Sequence, residues 1–465
     1  MSENQTAATN QTDAGPVDVK ATKDLIKAAI AKITGKQTAI ANYDRYYRGD
    51  HPFNFSSEKF TTQFADRLRS FRDNLCKTCV RAPADRLEVI GFATDQKSEI
   101  YKLSWEAWKR SQMPRITKRI HRDAFKTGDA FVVVWVDDAG AARIYPQDVR
   151  NCTVFYDLET GTVEVGAKLW RGNDGFVYLT LYFRDRIEKY ITKAKQSGGN
   201  IPSTADAFIK RIVPGEAWPL ANSIDTCPMF HFGLEGSILD DVIPLNDALN
   251  KSIADMLVSS EANSLRQRWA SGIAFEINPE TGKQIIPFEA AAQWFASNDA
   301  EAKFGQFAEG NLKLYMEIAN DFRNEIANVA GIPQYYFRLD GGTMPSGEAL
   351  RKAESRFTAL ISDAQLDFGE TWAQVMKFAL AIDGTAIGQD LQFETQWTPA
   401  DPMSENELVD LAIKKKNVGV STTVALSEIG YTDDQITKMQ KENSDNAAAN
   451  AANFSKTFNA GPQLG

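Results

Sequence analysis

The chain has 465 residues with 52 Lys+Arg against 61 Asp+Glu, a net charge of −9, so it is not a protein that grips phosphate backbone over its whole surface, although a local basic patch is compatible. Hydrophobic residues at 43% and charged residues at 24% are those of a globular chain with a large core, enough for about two to four domains. Four cysteines and three histidines rule out a disulfide scaffold and leave little material for a metal site.

Residues 1–19 are rich in Thr, Asn, Gln and Ala and read as a disordered arm, without the charged and apolar regions of a signal peptide. No run approaches the ~18 apolar residues of a membrane span, so the sequence reads as cytosolic and soluble. Leu25, Ile26, Ala29, Ile30 and Ile33 fall at helical spacing, with Gly35 as a stop and a second short helix over Ile40–Tyr47. Helices are expected over Phe71–Arg81, Glu99–Ser111 and Met113–Lys126, the last before Gly128.

Strands follow at meander spacing. They are Ala130–Val136, Ala141–Tyr145, Thr153–Tyr156, Val163–Trp170, Phe176–Phe183 and Ile187–Thr192, with Gly-containing turns between several of them. Helices do not alternate with them, which predicts an antiparallel β region and argues against a Rossmann-type enzyme domain. From Ser237 to about Trp269, apolar residues recur at helical steps, with Pro244 near the start. Residues 270–306 break the pattern, with a possible short helix over Glu289–Phe295. A second long helix runs from Asn311 through Leu314, Ile318, Phe322, Ile326 and Val329 to Gly331. After the loop Tyr335–Pro345, Ser346 caps a third helix through Leu350, Ala353, Phe357, Leu360, Ala364, Phe368, Trp372, Val375 and Ala379. At 1.5 Å per residue it is roughly 50 Å long, more than one small core covers, which points to an extended or oligomeric assembly. A strand over Leu391–Trp397, short helices over Ser404–Lys415, Ser421–Ile429 and Asp433–Lys441, and a disordered tail from Glu442 complete the chain. The fold class is α+β.

The catalytic inventory is nearly empty. Cys76-Lys77-Thr78-Cys79 is a C-x-x-C inside a helical pattern, without two further zinc ligands nearby and without a preceding strand, so two small helix residues is the plainer reading. His121-Arg122-Asp123 imitates a kinase catalytic loop but lacks the Asn five residues on, so Arg122 and Asp123 read as surface or interface charges. Gly35-Lys36 and Gly282-Lys283 lack the rest of a phosphate loop. The pairs Asp137-Asp138, Asp240-Asp241 and Asp433-Asp434 suit turns and helix starts. An enzyme would have to use Asp129, Asp148 or Asp157 near strand ends. No cofactor is called for, and the absence of a constellation favours a structural role.

Several segments carry a resemblance. Tyr43–Gly49 (YDRYYRG), Asn74–Gly91 (NLCKTCVRAPADRLEVIG), DAFKTGDAFVVVW, Asn328–Pro333 (NVAGIP), Ser346–Lys352 (SGEALRK), Asp401–Glu407 and Gly419–Ile436 occur in that order. Together with the element order they resemble the portal proteins of tailed bacteriophages of the long, non-contractile-tail type, over residues of about 40 to 440. The resemblance implies a non-enzymatic dodecameric ring at one capsid vertex in the virion, formed in the host cytoplasm, through which double-stranded DNA is packaged and ejected. Implied partners are other copies of the chain, the DNA, terminase, the head–tail adaptor and the major capsid or scaffold proteins, with no membrane. The implied portal-type fold has an arm and first helix (1–39), a helical then β wing (40–236), paired stem helices (237–269 and 307–333) and a clip (270–306). A tunnel loop (334–345), a long wing helix and strand (346–400), a helical crown (401–441) and a tail (442–465) follow. DNA-proximal residues would be Arg338, Leu339, Asp340, Gly341, Gly342, Thr343 and Met344. Partner-facing clip residues would be Phe275, Ile285, Ile286, Trp294 and Phe295. Another head structural protein, or less favourably an enzyme in the β region, is the alternative.

Overall fold

The computed structural model describes residues 19–50, 52, 72–94, 98–196, 198, 200–264, 268–272, 277–283, 301–306, 311–337, 347–385, 392–401, 405–429, 431 and 435–447. The chain divides into two compact units, one of residues 1–45, 79–239 and 345–465 and one of 46–78 and 240–344.

Helix α1 (Val19–Arg48) is continuous, where the sequence predicted a stop at Gly35 and two helices. Ile26, Ile30, Ile33 and Ile40 are all buried, at steps of 4, 3 and 7. The apolar stripe therefore stays in phase across Gly35, and its burial outweighs the ~1 kcal/mol that a mid-helix glycine costs. Helix α2 is Leu75–Arg86 rather than 71–81; Asn74 Oδ1 accepts from the Lys77 N–H at its start, and it runs past Pro83. Strand β1 (Val89–Thr94) precedes α3 (Ser98–Arg110) and α4 (Met113–Thr127).

Gly128 ends α4 at φ 79°. A Cβ there would lie 3.0 Å from the backbone carbon of Gly236, so glycine both turns the chain and lets the returning segment pass. Leu234 and Ile238 donate to the Gly128 and Phe125 carbonyls on that return.

The predicted strands are present within a few residues of their expected ends. They are β2 (Asp129–Val136), β3 (Ala142–Gln147), β4 (Cys152–Tyr156), β5 (Val163–Arg171), β6 (Val177–Tyr182) and β7 (Arg186–Thr192). The shorter β8 (Phe208–Lys210), β9 (Leu220–Ala221) and β10 (Met229–Gly233) were not anticipated. Strands β4 to β8 form one sheet in sequence order with β9 on β7, and β10-β2-β3 forms a second. Every pairing is antiparallel. One face of the larger sheet, with Ala167, Leu169, Val177, Leu179, Leu181 and Tyr190, packs on the isoleucines of α1.

Helix α5 (Leu239–Ser264) begins after Ser237, whose hydroxyl accepts from the Leu239 N–H. It ends at Ser264, short of the predicted Trp269. Strand β11 (Arg268–Ser271) then pairs with β12 (Lys303–Gln306), so Trp269 belongs to a ladder. Helix α6 (Leu312–Ala330) is capped by Asn311, which accepts from the Lys313 N–H, and by Gly331 at φ 67°. Its buried face is Ala319, Ile326, Ala327 and Ala330, and the predicted stripe residues Leu314 and Val329 are exposed. Three of these four buried residues are alanines, so the packed face is narrow and made mostly of small side chains around Ile326.

Helix α7 (Gly347–Ile382) has 36 residues and is about 54 Å long. Phe357, Ala364, Phe368, Trp372, Val375 and Ala379 are buried as the spacing predicted, whereas Ala353 is exposed beside the buried Glu354. Glu354 is satisfied by Arg86, 3.0 Å away. Strand β13 (Phe393–Trp397) was expected, and its partner is β1. Helices α8 (Glu405–Asn417), α9 (Thr422–Glu428) and α10 (435–447) end the described chain.

Candidate functional site

The loop residues Arg338, Leu339, Asp340, Gly341, Gly342, Thr343 and Met344 lie outside the described residues, as do Phe275, Ile285, Ile286, Trp294 and Phe295. Their surroundings are described. The loop leaves α6 through Gly331, a short 3-10 turn over Gln334–Tyr336 and the buried Phe337, with Tyr335 and Tyr336 stacked at 4.9 Å. The segment between α5 and α6 is closed at its base by the β11–β12 ladder. Within it, Asn278 accepts from the Glu280 N–H in a turn beside the exposed Ile277.

Three polar residues on the first turns of α5 fix their unit. Tyr46 donates to Asp247 (2.8 Å). Asn246 accepts from the Leu75 N–H (3.3 Å). Asn250 accepts from the Asp73 N–H and donates to the Asp73 carbonyl, both at 2.9 Å. Arg323 on α6 then reaches Asp73 (2.9 Å). Asn246 and Asn250 are fully buried, so their lost partners would not be replaced by water. One network thus ties α5, α6, the end of α1 and residues 73–75 in a single register.

The sequence candidates for chemistry resolve as follows. Cys76 and Cys79 are buried helix residues in no disulfide. Burial, with the Asp247 charge second, pushes the Cys76 thiol up to about 12, the opposite of a nucleophile. Among the described residues no group of three or more His, Cys, Asp or Glu side chains could hold a metal ion. Arg122 pairs with Asp85 at 2.5 Å and Asp123 with Lys126 at 2.8 Å, as part-exposed charges. His121 is completely buried among Phe368, Trp372 and Trp397. Its Nε2 accepts from Trp372 Nε1 at 3.0 Å, so Nδ1 carries the proton. Burial pushes the imidazole down to about 3, with the Leu87 backbone pulling weakly the other way.

Of the three aspartates, Asp148 caps a 3-10 turn and pairs with Arg150 (2.6 Å), and Asp157 accepts from the Glu159 N–H in a hairpin turn. Asp129 stands in a cluster. It accepts from His231 Nε2 (2.8 Å) and from Lys36 (3.1 Å), and His231 Nδ1 meets the Tyr156 hydroxyl (2.6 Å). Burial raises the Asp129 carboxyl, but the His231 hydrogen bond and the Lys36 charge lower it further, to about 2. His231 stacks on its cross-strand neighbour Phe131 at 4.8 Å, and Lys36 covers the Phe131 ring. Sequence reading weighed Lys36 only as half of a Gly-Lys pair and missed Tyr156 and His231; the three lie on elements far apart in the chain. Only the register of β10 against β2 brings His231 beside Asp129.

A fixed ionic and aromatic cluster joins α1 to two sheets. The matching family explains the emphasis on architecture. The family model of phage portal proteins, SPP1 Gp6-like, matches residues 26–449. The chain belongs to the phage portal protein family. Two relatives are the portal protein of Mycobacterium phage D29, 22% identical over 413 residues (82% of this chain, 80% of that one), and that of Mycobacterium phage L5, 26% identical over 406 residues (83% and 81%). Among solved structures, a chain in the virion of a native gene transfer agent particle aligns at a TM-score of 0.42 and 13% identity, covering 80% of this chain and 92% of that one. As a portal protein, the chain is a structural component of the virion at the capsid vertex. No helix among the described residues is long and apolar enough to cross a membrane.

Proposed function

We propose that about twelve copies of this chain close into a ring around a channel through which double-stranded DNA enters the capsid and leaves it. The observation that carries the reading is the family match over residues 26–449. In this reading α5 and α6 are the stem helices beside the channel. Residues 270–306 are the clip that terminase and then the adaptor contact, and 334–345 form the loop nearest the DNA. Residues 40–236 and 346–400 make the wing and 401–441 the crown. No catalytic step is assigned to the chain.

Charge supports passage over grip. Phosphate neutralisation releases counterions and binds DNA tightly, which would brake sliding. A chain at −9 gives a ring at about −108, whose field repels the duplex from the wall. The loop carries one base, Arg338, and one acid, Asp340, so it would touch DNA by shape and brief contact, without sequence readout. Negative-stain microscopy and native mass measurement of the purified chain test the ring. Particles with a central pore near twelve times 51.6 kDa are expected. Monomers alone, across buffers and concentrations, would overturn the reading.

A further inference from the structure

Helix α8 (Glu405–Asn417) separates its charges along its length: Glu405, Glu407 and Asp410 in its first half, Lys414, Lys415 and Lys416 at its end. Acids at the start and bases at the end of a helix suit its dipole, and that alone accounts for the order. It does not account for what lies between. Val409 and Ile413, four residues apart and so on one face, are 45% and 52% exposed, and Val418 just beyond is 82% exposed. The three helices α8, α9 and α10 bury only Ala425 and Ile436 among their described residues, with Ile429 buried just past the end of α9. A core of that size does not hold a helical group by itself, so the bare apolar face needs a cover.

We infer that the cover is the same helix in the neighbouring copy, with the basic end of one α8 set against the acidic half of the next. The inference rests on the ring reading, and symmetry selects this arrangement. Copies in a cyclic ring differ by rotation about a single axis. Neighbouring α8 helices lying side by side without stagger would be parallel, with acid beside acid and base beside base. An antiparallel pair needs a twofold axis, which a cyclic ring lacks. A staggered overlap of tilted neighbours, with the last turn of one α8 alongside the first half of the next, puts Lys416, which shares the face of Val409 and Ile413, against Asp410 of the next copy and closes the apolar pair into the contact. The arrangement repeats around the ring without leaving an end. Glu407 already pairs with Arg351 of its own α7, which anchors the acidic half of the helix to the rest of the subunit.

The four native cysteines are buried, so cysteines introduced at exposed positions are the reactive ones. The full-length double variant Asp410→Cys, Lys416→Cys is assembled, its size is confirmed by native mass measurement, and it is treated with a short bis-maleimide. A ladder of dimers, trimers and higher products is expected under denaturing electrophoresis, with neither single variant producing one. Adding Val409→Ser and Ile413→Ser should lower the ladder yield several-fold. Rings of full size that give no ladder, or dimers only, overturn the contact while leaving the ring intact. A wild-type chain that forms no ring overturns the ring reading and this contact with it. Lys414→Glu with Lys416→Glu is also tested against duplex DNA at low salt. Weakened DNA binding by rings that never cross-link would assign these lysines to nucleic acid and overturn the inference.

Discussion

His121 makes the subunit sensitive to acid in a way that can be calculated. Its imidazole is neutral and fully buried, donated to by Trp372 and pushed down to about 3. In the unfolded chain it titrates near its ordinary value of 6.5. Above that pH both states carry it neutral, and it contributes no pH dependence. Below it the unfolded chain takes up a proton that the folded chain refuses, so stability falls as the pH drops from 6.5 towards 3. The slope is about 1.4 kcal/mol per pH unit, or roughly 3 kcal/mol by pH 4.5. Asp129 does not interfere in that window, because its contribution is complete above its ordinary 3.8 and is lost only as the pH falls through about 2. The control is His121→Phe, which keeps an aromatic ring in the cluster and removes the titration. It leaves Trp372 Nε1 without its acceptor, which costs about 1–2 kcal/mol at neutral pH. Urea denaturation followed by tryptophan fluorescence, repeated from pH 7.5 to 4.5, should show the wild type more stable at neutral pH and the two curves converging or crossing near pH 5. Parallel curves would mean that His121 takes up its proton in the folded state, and the burial argument would fail.

Asn250→Ala should lower the stability of the unit containing α5 and α6 by about 2–4 kcal/mol, read from hydrogen exchange of α6, because both backbone groups of Asp73 lose their buried partner. Asp129→Asn should cost about 1–3 kcal/mol at pH 7 by thermal denaturation and leave little difference near pH 2, where the wild-type carboxyl is itself protonating. Trp294→Ala or Phe295→Ala should weaken ring assembly or partner docking while the wing stays folded; normal packaging and tail attachment would remove that idea. Gly341→Pro with Gly342→Pro should stiffen the loop and give capsids with impaired DNA filling or retention; full-length genomes packaged and kept as in the wild type would reduce the segment to a turn.

What the sequence could show depended on whether the stabilising pattern was local. The strands from Asp129 to Thr192 were legible because period-2 runs and Gly-containing turns sit within about ten residues of each other. Helix α7 was legible because Phe357, Ala364, Phe368, Trp372 and Val375 keep one phase for many turns. The break assigned at Gly35 was wrong for a non-local reason. Glycine weighs against a helix by about 1 kcal/mol, and the burial of Ile33 and Ile40 on either side decides otherwise. The same holds for β1, whose strand character comes from pairing with β13, some 300 residues away. On α6 the predicted stripe packs at its centre, where Ile326 is buried and Ile318 and Phe322 are half-buried, but its two ends, Leu314 and Val329, are exposed. Alanines at 319, 327 and 330 gave a weaker signal, although all three are buried.

The polar clusters were the least legible, and the reason bears on function. Asp129 was noticed as an aspartate at a strand end, but nothing local distinguishes it from Asp148 or Asp157. Its partners Lys36, Tyr156 and His231 come from α1, β4 and β10, and the network of Asn246, Asp247 and Asn250 likewise reaches Tyr46, Asp73 and Leu75. Each network joins segments that are distant in sequence. In the proposed ring, a subunit that must keep its shape has use for polar links of this kind. Truncating one partner leaves a desolvated group unsatisfied, so slipped arrangements are penalised by more than the loss of apolar contact. That asymmetry favours one fixed arrangement over raw stability.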